Sequence, residues 1–246
     1  MSTVVILGAG SPIARALARR FLERGHAVHL AARDAEEVRR IASDLAIRTG
    51  GEVRSSTFDA TRPETHRTLV DEVLRASAGA IEGVVLAFGT TGDLERARHD
   101  PAHVREIVEV NLGAAAALLT AFADALEARR RGFIVGLSSV AGDRGRQSNY
   151  VYGAAKAGLT ILLQGLRNRL TPAGVHVLTV KLGFVDTRMT FGKAGVFAAA
   201  SPEAVADAIV AALDRHLDEV YLPRFWRGIM AAIRAIPEPL FKRLKL

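Results

Sequence analysis

Apolar and polar positions alternate along this chain with two different periods. Short runs rich in valine, isoleucine and leucine are typical of buried β-strands, and the longer segments between them repeat their apolar residues at helical spacing. This alternation predicts one doubly wound α/β domain, with a seven-stranded, mostly parallel sheet and helices on both faces. The predicted strands are Thr3–Leu7, Ala27–Ala31, Glu52–Phe58, Gly83–Phe88, Phe133–Leu137, Val175–Leu182 and Val220–Leu222.

Two helix starts carry capping signals. Ser11 is placed to cap a helix that begins at Pro12, and Asp34 with Glu37 has the spacing of a capping box. No repeat, low-complexity segment or interdomain linker interrupts the pattern. We therefore predict a single Rossmann-type domain over residues 1–222, with residues 223–246 as a basic amphipathic extension of it.

Composition excludes several kinds of chemistry. The 246 residues include no cysteine, which rules out disulfides, thiolate catalysis and cysteine-ligated metals, and we predict no metal site. The chain enters its first strand without a basic leader, and no uncharged run is long enough to span a bilayer. These features predict a cytoplasmic protein.

The formal charge of +7 is concentrated in residues 224–246, where six basic residues face Glu238 alone, a net charge of +5. No basic stripe is interleaved with stacking aromatics, so we predict no nucleic-acid partner. Apolar residues recur at helical spacing from Phe225 to Ile236, which suits the anionic inner face of a membrane. The alternative is that this helix packs on its own domain or on a partner subunit.

A glycine-rich turn follows the first strand. Gly8 and Gly10 allow the backbone to approach a pyrophosphate, and the helix that begins at Pro12 directs its positive end towards it. Ala14 replaces the third glycine of the dinucleotide-binding pattern and is small enough to keep helix and strand close. The predicted cofactor contacts here are Gly8, Gly10, Ser11, Pro12 and Ile13.

The end of the second strand bears on the choice of cofactor. An acidic side chain there would bind a free ribose 2′-hydroxyl and repel a phosphate, but this chain has Ala32 followed by Arg33. This favours NADP(H), with NAD(H) as the alternative if Arg33 is a solvated loop residue. Asp59, beside Ala60, is a candidate acceptor for the adenine amine or an ordinary turn aspartate.

Tyr152 and Lys156 lie four residues apart, and Ser139 precedes Tyr152 by thirteen. A tyrosine with an ordinary pKa of about 10 is a poor proton donor at neutral pH, but a lysine one helical turn away can stabilise its phenolate. Tyr152 then becomes a usable general acid. The spacing predicts hydride transfer to or from a carbonyl.

In this order, the motifs resemble those of the short-chain dehydrogenase/reductase family over essentially the whole chain. Residues Gly8 to Ala14 resemble the family's glycine motif, and Ala87-Phe88-Gly89 is similar to its Asn-Asn-Ala-Gly segment in degenerate form. The resemblance implies a homo-oligomer, a cofactor that touches Ala87, Phe88 and Gly89, and a catalytic tetrad. The tetrad comprises Asn111, Ser139, Tyr152 and Lys156.

The resemblance also implies roles for these side chains. Ser139 would hydrogen-bond the substrate carbonyl, and Tyr152 would protonate its oxygen as hydride arrives. Lys156 would lower the tyrosine pKa and, like Tyr152, contact the nicotinamide ribose. Asn111 would anchor a proton-relaying water, unless it is only a helix asparagine bonded to a backbone carbonyl. Ser138 is the rival serine, but the family's usual interval to the tyrosine favours Ser139.

After the sixth strand the family usually has Pro-Gly and then a threonine that touches the nicotinamide carboxamide. This chain keeps Gly183 and Thr187 but has Leu182 in place of the proline. Leucine can adopt the extended conformation that the position needs. The implied cofactor contacts in this loop are Gly183, Val185 and Thr187.

Arg144 and Arg146 lie in the loop between Ser139 and Tyr152 and favour an anionic substrate, unless they are simply solvated. The loop and tail are similar to those of the decaprenylphosphoryl-2-keto-erythro-pentose reductases of mycobacterial cell-wall synthesis. That similarity implies reduction of a polyprenyl-phosphate 2-ketopentose to the arabinofuranose, after a flavin-dependent oxidase. The alternatives are a general reductase of a soluble ketone or acyl substrate and a non-catalytic nucleotide-sensing protein.

The cofactor hypothesis gives a first prediction. Ala32→Asp should swing preference towards NAD(H), because a carboxylate at the end of the second strand binds the 2′-hydroxyl and repels the 2′-phosphate. Dissociation constants for NADPH and NADH, measured on wild type and variant, test this. Equal affinity of the wild type for both cofactors would mean that Arg33 is a bystander.

Overall fold

The structure, a computed structural model, describes residues 1–192 and 195–244. Its seven strands are all parallel and lie in the order β3-β2-β1-β4-β5-β6-β7. The predicted doubly wound α/β fold is therefore confirmed. The strands are β1 Thr3–Leu7, β2 Ala27–Ala32, β3 Val53–Thr57, β4 Ile81–Leu86, β5 Gly132–Ser139, β6 Val175–Leu182 and β7 Glu219–Leu222.

Helices cover both faces of this sheet. One apolar core lies between the sheet and α1, α2 and α8, and the other lies between the sheet and α3, α6 and α7. The central strand β1 is buried along its whole length, which is why it reads as an uninterrupted apolar run. The helices are α1 Pro12–Glu23, α2 Ala35–Thr49, α3 Pro63–Ala76, α4 Leu94–Ala97, α5 Pro101–Val108, α6 Ala114–Arg129, α7 Tyr150–Leu170, α8 Pro202–Asp214, α9 Trp226–Ala235 and α10 Glu238–Phe241.

The long helical stretch Pro101–Arg129 is apolar enough to cross a membrane when only its length and composition are considered. It comprises α5, a π-helical turn at Glu109–Gly113, and α6. Leu118, Leu119 and Phe122 on α6 are completely buried in the core beside the sheet. Core packing therefore accounts for the apolar character of this helix.

The two predicted helix starts are present, but neither is capped in full as predicted. Ser11 occupies the N-cap position before Pro12, yet its side chain makes no capping hydrogen bond. The Asp34 carboxylate accepts hydrogen bonds from the backbone N–H groups of Glu36 and Glu37, both at 2.9 Å. The reciprocal half of the capping box is absent, because the Glu37 carboxylate pairs with Arg15 instead, at 2.6 Å.

The C-terminal extension packs on its own domain. Trp226 and Met230 of α9 are buried against Val140, and Phe184 and Tyr221 pack at the edge of the same cluster. Most of the apolar stripe that could have faced a membrane is therefore turned inward, as the packing alternative predicted. Lys245, one of the six tail cations, lies outside the described residues.

Arg144 fastens this tail to the loop after β5. One terminal nitrogen of its guanidinium donates to the carbonyl oxygens of Ile233, Arg234 and Ile236, at 2.7, 3.1 and 2.6 Å. The other pairs with Glu238 at 2.9 Å, and the guanidinium carbon lies 3.7 Å from the centre of the Phe241 ring. A cation thus satisfies the free carbonyls at the C-terminal end of α9.

We predict that Arg144→Ala loosens the tail, because it removes the guanidinium that bonds three carbonyl groups of the tail and pairs with Glu238. The free energy of unfolding should fall by about 1–3 kcal/mol, the range for charged hydrogen bonds. Limited proteolysis should cut the tail faster in this variant than in Arg234→Ala, a matched change at an exposed side chain. Equal cleavage rates in the two variants would contradict this role for Arg144.

Candidate active site

A cleft of about 680 Å³ opens at the carboxyl ends of the parallel strands. The strand order reverses between β1 and β4, and this switch point is where doubly wound sheets bind their ligands. Every residue predicted to touch the cofactor lines this cleft. They are Gly8, Gly10, Ser11, Pro12, Ile13, Arg33, Asp59, Ala60, Ala87, Phe88, Gly89, Tyr152, Lys156, Gly183, Val185 and Thr187.

The glycine turn lies where β1 meets α1. Gly8 has a φ of +98°, and a side chain there would come within 2.6 Å of the backbone nitrogen of Phe88. Glycine is therefore required by both conformation and space. The N-terminus of α1 follows directly, so the turn offers the close backbone approach and positive helix end that suit a pyrophosphate.

The opposite end of the cleft would hold the adenosine. Asp59 lines it, and one oxygen of its carboxylate accepts from the N–H and the hydroxyl of Thr61, at 2.9 and 2.8 Å. These are the contacts of an ordinary turn aspartate, which was the alternative to an adenine ligand. The adenine contact of Asp59 stays a prediction.

Glu37 is a cleft residue that the sequence did not single out as a ligand. Its carboxylate lies 3.6 Å from the position that a Cβ on Gly10 would occupy, and it shares this end of the cleft with Arg33. Arg15 pairs with it at 2.6 Å and offsets its negative charge. The capping-box spacing predicted that Glu37 would pair with Asp34, so only the tertiary contact with Arg15 shows where the Glu37 carboxylate lies.

The three catalytic candidates that line the cleft come from β5 and α7. Ser139 ends β5, and its hydroxyl accepts from the N–H of Ala141 at 3.1 Å and donates to the carbonyl of Leu182 at 3.4 Å. Tyr152 and Lys156 stand one turn apart on α7 and are both buried. Ser138, the rival serine, bonds instead to the carbonyl of Lys156 and to Thr160, at 3.0 and 2.8 Å.

Burial dominates the ionisation of this pair. It raises the pKa of Tyr152, and the hydrogen bond with Ser139 only partly opposes the rise. It lowers the pKa of Lys156 to about 8. The Lys156 ammonium donates to the carbonyl of Leu137 at 3.0 Å and lies 5.8 Å from the centre of the Tyr152 ring. Lys156 is not among the causes of the shift in the Tyr152 pKa, so the expected lowering of that pKa by Lys156 is not found.

Asn111 lies behind the cleft wall, in the π-helical turn. Its amide donates to the carbonyls of Thr90 and Ile107 at 2.7 and 2.8 Å, and its oxygen accepts from the N–H of Thr90 at 3.2 Å. A Cβ at Gly89 would lie 2.7 Å from that oxygen and 3.2 Å from the Lys156 ammonium. Asn111 thus holds the turn after β4 in place, and its water-anchoring role stays a prediction.

Leu182, which stands where the family has proline, ends β6. A Cβ at Gly183 would lie 1.9 Å from the indole nitrogen of Trp226, so this glycine is required by space. Thr187 lies further along the cleft. The tail thus reaches the part of the cleft where the carbonyl chemistry is expected.

The two loop arginines do not line the cleft. Arg144 is engaged with the tail, as described above, which corrects its assignment as a substrate ligand: its donors serve α9 and α10. Arg146 is half-buried, and burial lowers its pKa. Its Nε has no hydrogen-bond partner among the described residues, so its substrate role stays a prediction.

Some cleft residues were missed by the sequence analysis. Phe58, Thr61 and Thr90 follow the ends of β3 and β4, and the rule that ligands bind beyond the carboxyl ends of parallel strands could have found them. Glu106 and Val110 come from the long helical stretch and carried no such signal. Their presence in the cleft depends on how that helix packs.

Comparison with known proteins agrees with this geometry. The short chain dehydrogenase family model matches residues 2–194, so the chain belongs to that family. An uncharacterized oxidoreductase of Streptomyces coelicolor is 37% identical, over 98% of this chain and 95% of the relative. Another, from Mycobacterium tuberculosis, is 40% identical over 98% and 96%.

A solved structure extends the comparison. The short-chain dehydrogenase from Sphingobium yanoikuyae in complex with NADPH superposes with a TM-score of 0.81 at 27% identity, and the match covers 100% of this chain and 97% of that one. This protein is therefore a nicotinamide-dependent oxidoreductase of the short-chain dehydrogenase/reductase class.

We predict that Tyr152→Phe removes most turnover, by about 10²- to 10⁴-fold, because it deletes the proton donor. Cofactor affinity should stay nearly unchanged, since the ring remains. Steady-state kinetics and a fluorescence titration with reduced cofactor measure the two effects. Tyr150→Phe, at an exposed neighbouring tyrosine, is the control and should retain turnover. Near-normal activity of Tyr152→Phe would refute the proton-donor role.

Lys156 gives a prediction about pH. Its pKa falls from 10.5 in the unfolded chain to about 8, so the unfolded chain binds more protons between these values and the free energy of unfolding rises with pH across that window. Below pH 8 the full cost of burying the charge is present. Lys156→Met should therefore stabilise the fold at pH 7 by about 1–3 kcal/mol, with the gain shrinking towards pH 10.

Urea denaturation at pH 7 and pH 10 measures this effect. Lys242→Met, at an exposed lysine, serves as the control and should change stability little at either pH. A gain of the same size at both pH values would show that the buried charge is not its origin.

Proposed function

We propose that this protein is an NADP(H)-preferring reductase that converts a ketone to a secondary alcohol. The observation that carries the proposal is the arrangement of Ser139, Tyr152 and Lys156 along one wall of a cleft whose remaining walls suit a dinucleotide. A protein that only sensed a nucleotide would have no need for a serine, a buried tyrosine and a buried lysine that line the same cleft.

The residues of the cleft would divide the work as follows. When bound, the dihydronicotinamide supplies hydride to the carbonyl carbon. Ser139 would hold the carbonyl oxygen, and Tyr152 would transfer its phenolic proton to that oxygen as the negative charge develops. Lys156, charged below its pKa of about 8, would stabilise the resulting phenolate. One hydride and one proton then account for the alcohol.

The preference for NADP(H) rests on charge at the adenosine end. Arg33 lines the cleft beside the neutral Ala32, so a 2′-phosphate would meet a guanidinium at the end of β2. Asp34, the next residue, also lines the cleft, and its carboxylate caps α2 by accepting from the N–H groups of Glu36 and Glu37. Glu37 and Asp59 also line this end, and Arg15 pairs with Glu37 at 2.6 Å and offsets its negative charge. The NADPH bound to the Sphingobium relative supports the same choice.

A binding experiment tests the cofactor. NADPH should bind more tightly than NADH to the wild-type protein, as measured by fluorescence titration. Glu37→Gln should tighten NADPH binding a few-fold further, because it removes the repelling charge and frees Arg15, and it should not tighten NADH binding. Tighter binding of NADH than of NADPH by wild type would overturn this preference.

The lipid-linked 2-ketopentose is the narrower hypothesis within this function. Its support is the exposed basic surface of the tail, which includes Arg224, Arg227 and Arg234. Arg144 does not support this narrower hypothesis, because its donors bind the tail. The inward packing of α9 favours the alternative, a general reductase of a less specialised ketone. A preceding flavin-dependent oxidase, a membrane surface and a homo-oligomer stay predictions.

Turnover decides between these substrates. NADPH oxidation should be followed with a polyprenyl-phosphate 2-ketopentose and with simple cyclic ketones. Reduction of the ketopentose alone favours the narrower hypothesis, and reduction of the simple ketones favours the general reductase. If neither class is reduced while NADPH binds, the reductase function is wrong and the sensing alternative gains.

A further inference from the structure

A buried ion pair joins the loop after β5 to the last two strands of the sheet. Lys181 on β6 is only 6% exposed, and its ammonium lies 2.9 Å from the carboxylate of Asp143 and 3.2 Å from that of Glu219. The Tyr221 hydroxyl accepts from Lys181 at 3.2 Å and donates to Asp143 at 2.8 Å. We call Lys181, Asp143 and Tyr221 the anchor cluster. None of the three lines the cleft.

Stability alone does not account for the anchor cluster. Burial acts to lower the pKa of Lys181, but its bonds to Asp143 and Tyr221 outweigh burial and raise that pKa, so the ammonium stays charged. Apolar residues in place of a buried ion pair are often as stabilising as the pair itself. What the ion pair adds is direction, because the Asp143 side chain, 4% exposed, is bonded through both carboxylate oxygens.

Asp143 ends a single 3₁₀ turn, Val140–Gly142, that begins directly after Ser139. The N–H of Asp143 donates to the carbonyl of Val140 at 3.2 Å, and the N–H of Ala141 donates to the Ser139 hydroxyl at 3.1 Å. The place of this turn therefore sets the direction in which the Ser139 hydroxyl points.

The helix α7 confines the same turn from the other side. A Cβ at Gly142 would lie 2.7 Å from the backbone nitrogen of Ala157, and one at Gly153 would lie 2.8 Å from the carbonyl oxygen of Ala141. These contacts limit how close the turn can come to α7. Only the bonds to Asp143 hold it from the side of β6 and β7.

We propose that Lys181 is a positioning residue for the reduction, because through Asp143 it fixes the turn that directs the Ser139 hydroxyl towards the substrate carbonyl. The inference rests on the proposed reductase function and deepens it. The charge on the carbonyl oxygen develops only in the transition state, so a misdirected Ser139 should lower kcat and leave KM nearly unchanged.

Kinetics of two matched variants test this role. Lys181→Met removes the ammonium and should lower kcat about 10- to 100-fold, the range for a small misplacement of a catalytic group. The KM for the ketone and the Kd for NADPH should each stay within about twofold of wild type. NADPH oxidation with cyclohexanone and with a polyprenyl-phosphate 2-ketopentose measures kcat and KM, and a fluorescence titration measures Kd.

Glu219→Gln is the matched control, because it removes the other carboxylate that pairs with Lys181 and leaves the bond to Asp143 in place. It should keep the wild-type kcat. An equal fall of kcat in both variants would show that Lys181 only balances charge, and the proposal would be wrong.

A double variant separates positioning from stability. Lys181→Met leaves Asp143 buried without its cation, so it should lower the midpoint of urea denaturation as well as kcat. Adding Asp143→Leu removes the second charge and should restore the midpoint while kcat stays low. Recovery of kcat together with stability would overturn the positioning role.

Amide hydrogen exchange follows the turn without any turnover. The N–H groups of Ala141 and Asp143 should exchange about tenfold faster in Lys181→Met than in wild type or Glu219→Gln, as measured by NMR. Unchanged exchange would overturn the proposal even if kcat falls. If the wild-type protein reduces neither ketone, the reductase function is wrong, and faster exchange in Lys181→Met would still support the fixing of the turn by Lys181.

Discussion

The contact between α7 and β5 is the constraint on which the catalytic geometry depends. The Lys156 ammonium donates to the carbonyl of Leu137, and the Ser138 hydroxyl donates to the carbonyl of Lys156, both at 3.0 Å. A side chain of α7 thus bonds to the backbone of β5, and a side chain of β5 bonds to the backbone of α7. A side chain at Gly142 would come within 2.7 Å of the Ala157 backbone, so the chain must also lack a side chain there. This close approach sets Ser139 beside Tyr152.

The loop that joins these two elements is fastened from the other side by the C-terminal region. Lys181 on β6 forms a buried ion pair with Asp143 at 2.9 Å, and the Tyr221 hydroxyl donates to the same carboxylate at 2.8 Å. Arg144, the next residue, holds the tail. The residues between Ser139 and Tyr152 are therefore set by β6, β7 and α9 together, and the tail is part of the framework that supports the catalytic centre.

Charge is distributed differently at the two ends of the cleft. At the adenosine end, Arg15 pairs with Glu37 in a partly exposed setting and Arg33 lines the cleft, so electrostatic effects there are modest and screened by salt. At the catalytic end, Lys156 is buried and its pKa is lowered to about 8. Cofactor selectivity should thus respond to surface charge, whereas catalysis depends on a buried lysine whose pKa desolvation has brought close to physiological pH.

The sequence by itself determined the sheet, the glycine turn and the common helix face of the two catalytic candidates on α7, because each depends on local rules. Buried parallel strands such as β1 are nearly continuous apolar runs, and the predicted bounds of β1 and β6 match the structure. Lys156 follows Tyr152 by one helical turn, so their common helix face could be read from spacing alone. Glycine at position 8 signalled a turn that only a residue without a side chain can make.

Only the tertiary structure decided what the charged and aromatic side chains do, because their partners are distant in the chain. Arg144 could have faced a substrate or solvent, and it binds residues about ninety positions away. Glu37 had the spacing of a capping residue but pairs with Arg15 across two elements. The apolar stripe of the tail fitted a membrane and a protein core equally well, and the space available above Gly183 settled where Trp226 lies.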